Sequence, residues 1–194
     1  MDFYAHTLPD LPQSNWETMS QHEENVAQLC SEFVNRICPD LHEWGQLLGR
    51  WHDLGKYSDA FQAYLVKSND PNASCEGFKG RVDHSTAGAQ LAFENLPIGI
   101  GKVLAYLIDG HHAGLADAYS TTGNKGSGLT ERLKKSVESY QQNAPAELLK
   151  PPALAIPQLR FSRESRNKFP FETSVLIRML FSSLCDADFL ATEL

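Results

Sequence analysis

The sequence has no long apolar run. Its longest, "VLAYLI", is about six residues, far below the roughly 20 that a membrane-spanning helix requires. The N-terminus, "MDFYAHTLPD", carries neither the basic region nor the apolar stretch of a signal peptide. These absences predict a cytoplasmic protein with no membrane association. Positive charge is also scarce: 17 Lys and Arg stand against 24 Asp and Glu, a formal net charge of −7. Such a surface has little general attraction for phosphate backbones. Any nucleic-acid chemistry here must therefore draw its positive potential from bound metal or from a partner. The four cysteines, Cys30, Cys38, Cys75 and Cys185, include no CxxC pair. That excludes a zinc ribbon and a disulfide framework and leaves buried, inert thiols.

Several catalytic signatures are missing too. "HEEN" and "HEWG" lack the second histidine of a zinc-protease helix. "GIGKV" lacks the earlier glycine of a phosphate-binding loop, and Val103 stands where Ser or Thr is needed. No GxSxG elbow, internal repeat or series of alternating strands is present.

What is present is helical periodicity. In "QHEENVAQLCSEFVNRI", Val26, Leu29, Cys30, Phe33, Val34 and Ile37 recur at the spacing of one helix face. Further helices are expected over about Leu41–Leu54, "SDAFQAYLV", "DHSTAGAQLAFENL", "IGKVLAYLIDG", the polar "LTERLKKSVESYQQ" and "FETSVLIRMLFSSLCDADFLATE". The last is apolar almost all round, which predicts burial. With 42% hydrophobic residues and no linker, the chain reads as one all-α domain over residues 1–194, with a loop-rich insertion at about 116–170. "NDPNASCEGFKG" and "TTGNKGSG" read as loops, and the proline-rich stretch from Asn143 to Pro170 as an extended surface wrap. Within it Arg160, Arg163, Arg166 and Lys168 form a basic cluster, a contact for nucleic acid or a partner, or a solvated loop.

Metal-binding residue types gather at the ends or inner faces of five of these helices: His22, His52 with Asp53, His84, His111 with His112, and Asp186 with Asp188. Each alone has a plainer reading. His22 would be exposed near a helix N-terminus, His84 would cap a turn, and His111 and His112 would sit protonated where a helix dipole favours a cation. Together they make a set that one metal centre between bundle helices would satisfy. His42 has no such companions and reads as a surface residue.

The order His, His-Asp, Asp is similar to the HD superfamily of metal-dependent phosphohydrolases. "WETMSQHEENVAQL", "WHDLGKYSDAFQAYL", "VDHSTAGA", "GHHAGL" and "RMLFSSLCDADFLATE" together resemble the CRISPR-associated HD nuclease, the nuclease portion of the type I interference helicase-nuclease. The resemblance covers both ends of the chain and lapses between about residues 116 and 170. It implies an HD-domain helical bundle with its metal site between helices. His22, His52, Asp53 and Asp188 would form the minimal metal set, and His84, His111 and His112 would complete a second position. Asp53 would bridge the two, and Lys56 would assist catalysis. Asp188 is preferred because the superfamily commonly ends in an Ala-Asp pair, here Ala187-Asp188, and because it continues the stripe of Ile177, Phe181 and Leu184; Asp186 stays open. His6, in "YAHT", resembles a family feature but is given no role.

The implied chemistry is phosphodiester cleavage by two divalent cations that clamp the phosphate and supply a nucleophile at neutral pH. Imidazole-rich ligation favours manganese, cobalt, nickel or iron over a purely magnesium site. The substrate implied is single-stranded DNA, with a helicase domain or subunit and an RNA-guided CRISPR surveillance complex as partners in antiviral defence. No helicase motif occurs in the chain, so the resemblance implies a separate nuclease subunit or an excised domain. An HD nucleotide phosphohydrolase and a di-iron HD oxygenase use the same ligand types and are the alternatives, with a degenerate module that only recruits partners behind them.

Overall fold

The computed structural model describes residues 2–8, 11–69, 82–120, 126, 128–154 and 169–193. Cys75, nearly all of "NDPNASCEGFKG", most of "TTGNKGSG" and the basic cluster Arg160, Arg163, Arg166 and Lys168 lie outside the described residues. The fold is all-α, with seven helices among the described residues. None is long and apolar enough to cross a membrane.

The chain opens with an element absent from the sequence expectations. β1 (Tyr4–His6) and β2 (Glu17–Thr18) form an antiparallel ribbon in which His6 pairs with Glu17. Strands of three and two residues are too short to show alternation. Thr18 then caps α1 (Met19–Ile37) reciprocally: its hydroxyl accepts from the Gln21 N–H at 3.3 Å, and Gln21 Oε1 accepts from the Thr18 N–H at 3.2 Å. The buried stripe of α1 holds His22, Val26, Ala27, Cys30 and Val34. Leu29, Phe33 and Ile37 are half-buried beside it.

α2 (His42–Trp51) packs Trp44, Leu47, Leu48 and Trp51 into the same core. His42 is exposed. After α2 the chain stays inside: every residue from Trp51 to Ser58 is buried, through a 3-10 turn at Leu54–Tyr57. Ser58 caps α3 (Asp59–Ser68) by accepting from the Phe61 N–H at 3.2 Å. α4 (Ser85–Asn95) packs on α5 (Ile98–Gly110), whose Leu104, Leu107 and Ile108 are fully buried. Burying such side chains contributes about 1.5–3 kcal/mol each before the entropic cost.

Three expectations need correction. "LTERLKKSVESYQQ" is helical only over α6 (Leu129–Arg132). The Gln90 side-chain amide donates to the carbonyls of Leu133 (3.1 Å) and Lys135 (2.8 Å), which a continuing helix would use itself. Arg132 is pinned at 2.9 Å to the buried carboxylate of Asp109. Within the proline-rich stretch, residues 146–149 turn back on the core instead of running extended, and Trp51 Nε1–H donates to the Leu148 carbonyl at 2.8 Å. Finally, α7 (Phe169–Glu193) is only half-covered. Leu180, Ser183, Leu184, Ala187 and Ala191 face the core, whereas Phe171, Val175, Met179, Phe189 and Leu190 are exposed. Among the described elements, α7 meets α1, α2 and α5, all on its core side.

Candidate metal centre

The buried turn after α2 is the hub. Gly55 donates its N–H to the His84 carbonyl at 3.0 Å, and a Cβ at residue 55 would lie 2.5 Å from His84 Cα. A glycine is what lets this turn bring Asp53 beside the loop before α4. Asp83 does the capping there, accepting from the Thr86 N–H (3.2 Å) and hydroxyl (2.8 Å). His84 is thereby free of a capping role. His22 comes from the first turn of α1, His111 and His112 follow α5, and Asp188 comes from α7.

All seven expected ligands converge. Asp53 is fully buried, and its two oxygens face different partners. Oδ2 lies 3.2 Å from His52 Nε2 and 3.5 Å from His22 Nε2. Oδ1 lies 3.5 Å from His84 Nε2, 3.5 Å from His111 Nε2 and 4.0 Å from His112 Nε2. Asp188 Oδ1 sits 3.3 Å from His22 Nε2 and 3.5 Å from His52 Nε2. Asp186 is exposed and accepts from the Ser182 hydroxyl instead, so the structure brings Asp188 to the cluster.

The donor set fits divalent cations. His84 and His112 meet Nε2 to Nε2 at 2.8 Å, His22 and His52 at 3.2 Å. Two nitrogens bound to one ion at 2.0–2.1 Å would stand about 2.8–3.4 Å apart for bond angles from octahedral to tetrahedral. Asp53, His84, His111 and His112 each offer one ligand atom within 4.8 Å of the others, and so do His6, His22, Asp53 and Asp188. His52, His111 and Asp188 form a third such group between them. Asp53 Oδ1 and His111 Nε2 are buried without a well-formed hydrogen bond, and Asp53 Oδ2 has the Lys56 ammonium as its close partner. Buried polar atoms left so are rare, and cations between these groups would satisfy them.

Lys56 is not the solvated lysine that its sequence position allows. It is buried, with Nζ 2.7 Å from Asp53 Oδ2, 3.1 Å from the Ala5 carbonyl and 3.3 Å from His6 Nε2. Those contacts occupy its three N–H donors. His22, likewise, is fully buried rather than exposed.

Charge divides the cluster in two. Burial alone would depress His22 and His52, but the carboxylates of Asp188 and Asp53 outweigh it and raise them to about 10 and about 9. Burial would raise Asp53, yet His52 and Lys56 hold it well below the usual carboxylate range. On the other side burial lowers His84, and burial with the neighbouring His111 lowers His112 to about 3. His84 and His112 are therefore neutral and ready to ligate, and for His112 burial outweighs the helix dipole.

A pH dependence follows. In protein stripped by chelator, the raised pKa values of His22 and His52 stabilise the fold fully below about 6.5, the ordinary histidine value. That stabilisation is lost as pH rises through about 9 to about 10. Cation binding at this end must expel the same protons. We expect up to two protons released per cation bound there at pH 7, and affinity rising with pH. Calorimetry in two buffers of different ionisation enthalpy measures this; binding with no proton release would refute the assignment of His22 and His52 as ligands.

Two neighbours escaped the sequence reading. His6, left without a role, stacks edge-on against His22 at 4.7 Å between ring centroids. Glu17 Oε2 faces His22 Nδ1 at 3.3 Å. Both arrive on the short ribbon, which no periodicity announces. Among known families, the one described as "Cas3, HD domain" matches residues 12–186. Asp188 lies just beyond that stretch and His6 just before it. No curated protein matches the chain.

Proposed function

The chain belongs to the Cas3 HD domain family, a class of CRISPR-associated metal-dependent phosphohydrolases and nucleases, and from that premise we propose that it cleaves single-stranded DNA in type I CRISPR interference. A helicase domain or subunit would deliver the strand, and an RNA-guided surveillance complex would select the target. The observation that carries the reading is the division of the two Asp53 oxygens between two groups of imidazoles. Divalent cations held there would supply Lewis-acid stabilisation of the phosphoryl charge and a nucleophile at neutral pH. Asp53 with His22, His52 and Asp188 would hold one cation, and Asp53 with His84, His111 and His112 the other. Lys56 has its donors committed and acts by holding Asp53 in place.

Access supports a flexible substrate. The side chains of His22, His52, Asp53 and His111 are wholly enclosed, whereas those of His112 and Asp188 are 33% and 16% exposed. A scissile phosphate must enter over that edge, which suits a strand that bends more than a stiff duplex. The net charge of −7 offers little general attraction for a duplex. Labelled single-stranded DNA, linear duplex and free nucleotides, each incubated with manganese, cobalt, nickel or magnesium and with chelator, provide the test. We expect degradation of the single strand with the transition metals and little or none of the duplex. Equal cutting of both, or cutting that survives chelator, would overturn the reading. Nucleotide hydrolysis without DNA cleavage would move the chain to the nucleotide phosphohydrolases.

A further inference from the structure

We infer that Glu17 is a positioning residue of the metal centre: through Nδ1 of His22 it fixes that ring so that Nε2 faces the cation position shared with Asp53 and Asp188. The inference rests on His22 being a metal ligand. Its basis is the contrast among the histidines. Nδ1 of His52 faces the Gly49 carbonyl at 2.7 Å, Nδ1 of His111 faces the Ile108 carbonyl at 2.6 Å, and Nδ1 of His84 faces the Val82 carbonyl at 3.1 Å. His52 and His111 follow helix C-termini, where the last carbonyls lack helical partners and are free to accept. His22 lies in the first turn of α1. A helix N-terminus has spare N–H donors but no spare carbonyl, so the acceptor for His22 has to be imported.

The ribbon imports it. β2 ends one residue before α1, and its pairing of Glu17 with His6 fixes the backbone on which the carboxylate is carried. His22 Nδ1 is buried without a well-formed hydrogen bond, and the carboxylate facing it is Glu17, Oε2 at 3.3 Å. The helix N-terminus also favours a negative charge at this place. A carboxylate behind a metal-bound imidazole both sets its tautomer and raises its basicity, and losing such a partner typically weakens metal binding 10–100-fold. His22 is then the best electron donor of the set, and its cation position the one that depends on the ribbon.

Titrating the full chain with cobalt, by calorimetry and by its visible absorption spectrum, tests this in Glu17→Ala, Glu17→Gln and His22→Ala. We expect Glu17→Ala to weaken one cation by roughly 10–100-fold and to alter its spectrum, while the other cation binds as in the parent. Glu17→Gln keeps an oxygen acceptor of the same length without the charge, so it should fall between the two. Parent affinity and spectrum in Glu17→Ala, with one cation lost in His22→Ala, would overturn the role of Glu17 and leave the metal reading standing. Equal loss in Glu17→Ala and Glu17→Gln, with equally lowered melting points, would mean that the ribbon only packs, and would also overturn it. Parent binding by His22→Ala would overturn both.

Discussion

Asp53→Ala is expected to lose most bound metal at both positions and to abolish phosphodiester cleavage, a fall beyond the ~100-fold typical of losing an outer partner of a metal ligand. The expectation comes from where its oxygens point. Oδ2 serves the His22 and His52 side, and Oδ1 serves the His84, His111 and His112 side. Among the described carboxylates Asp188 comes nearest to sharing this role, but its close contacts, at 3.3 and 3.5 Å, are with His22 and His52, and it meets His111 only within the wider 4.8 Å group. The helices should survive. Removing one partner of a buried charge pair costs about 3–5 kcal/mol when the other charge stays. His22 and His52 keep the Asp188 carboxylate beside them, which leaves Lys56 as the cation that loses its partner. Circular dichroism should therefore show the parent helix content with a lowered melting point. Metal analysis and a cleavage assay on the same sample complete the measurement; near-normal cutting, or two cations retained, would refute the bridging role.

Much of this centre was legible because its ligands sit on elements that periodicity reveals. His22 falls on the buried stripe of α1, and His111 and His112 follow the apolar α5 at its visible stop. The motif "WHDLGKY" was harder to read from composition. Polar His52, Asp53 and Lys56 stand among residues that are all buried, and a buried polar group makes sense only once its partners are known. Those partners come from five separate segments, so the resemblance supplied the joint reading that local spacing does not.

What stayed hidden had specific physical causes. The ribbon is too short to alternate, so no pattern assigns Glu17 a place in the site or His6 a role there. The expected helix after Leu129 stops because Gln90, about 40 residues earlier, captures the carbonyls of Leu133 and Lys135; the competitor is remote in sequence. The burial of α7 was overestimated because apolar composition does not say on how many sides a helix has neighbours. Among its described side chains, five large apolar ones remain exposed, while its core side still delivers Asp188 to the cluster.

Gly88→Ala is expected to destabilise the fold and to weaken the metal centre together. A Cβ at residue 88 would lie 1.7 Å from the Trp51 carbonyl oxygen and 3.3 Å from Ile108 Cγ2. The first contact is with backbone, so no side-chain rotation relieves it. Ordinary overpacking of a core costs about 1–3 kcal/mol; a backbone collision should reach the top of that range or pass it. At roughly 2–4 °C per kcal/mol for a chain of this size, the melting point should drop by about 10 °C. The obstructed carbonyl belongs to Trp51, and the next two residues are His52 and Asp53. Whatever shift accommodates the methyl group must move α4 or the turn that carries the hub of the site. Cation affinity should therefore fall even at temperatures where the variant is folded. Gly99→Ala is the control, since a Cβ there meets nothing within 4 Å. It should be neutral, or stabilising by about 0.5–1 kcal/mol through the better helix propensity of alanine. Matching melting points and metal affinities for the two variants would show that α4 does not press on the Trp51–Asp53 backbone.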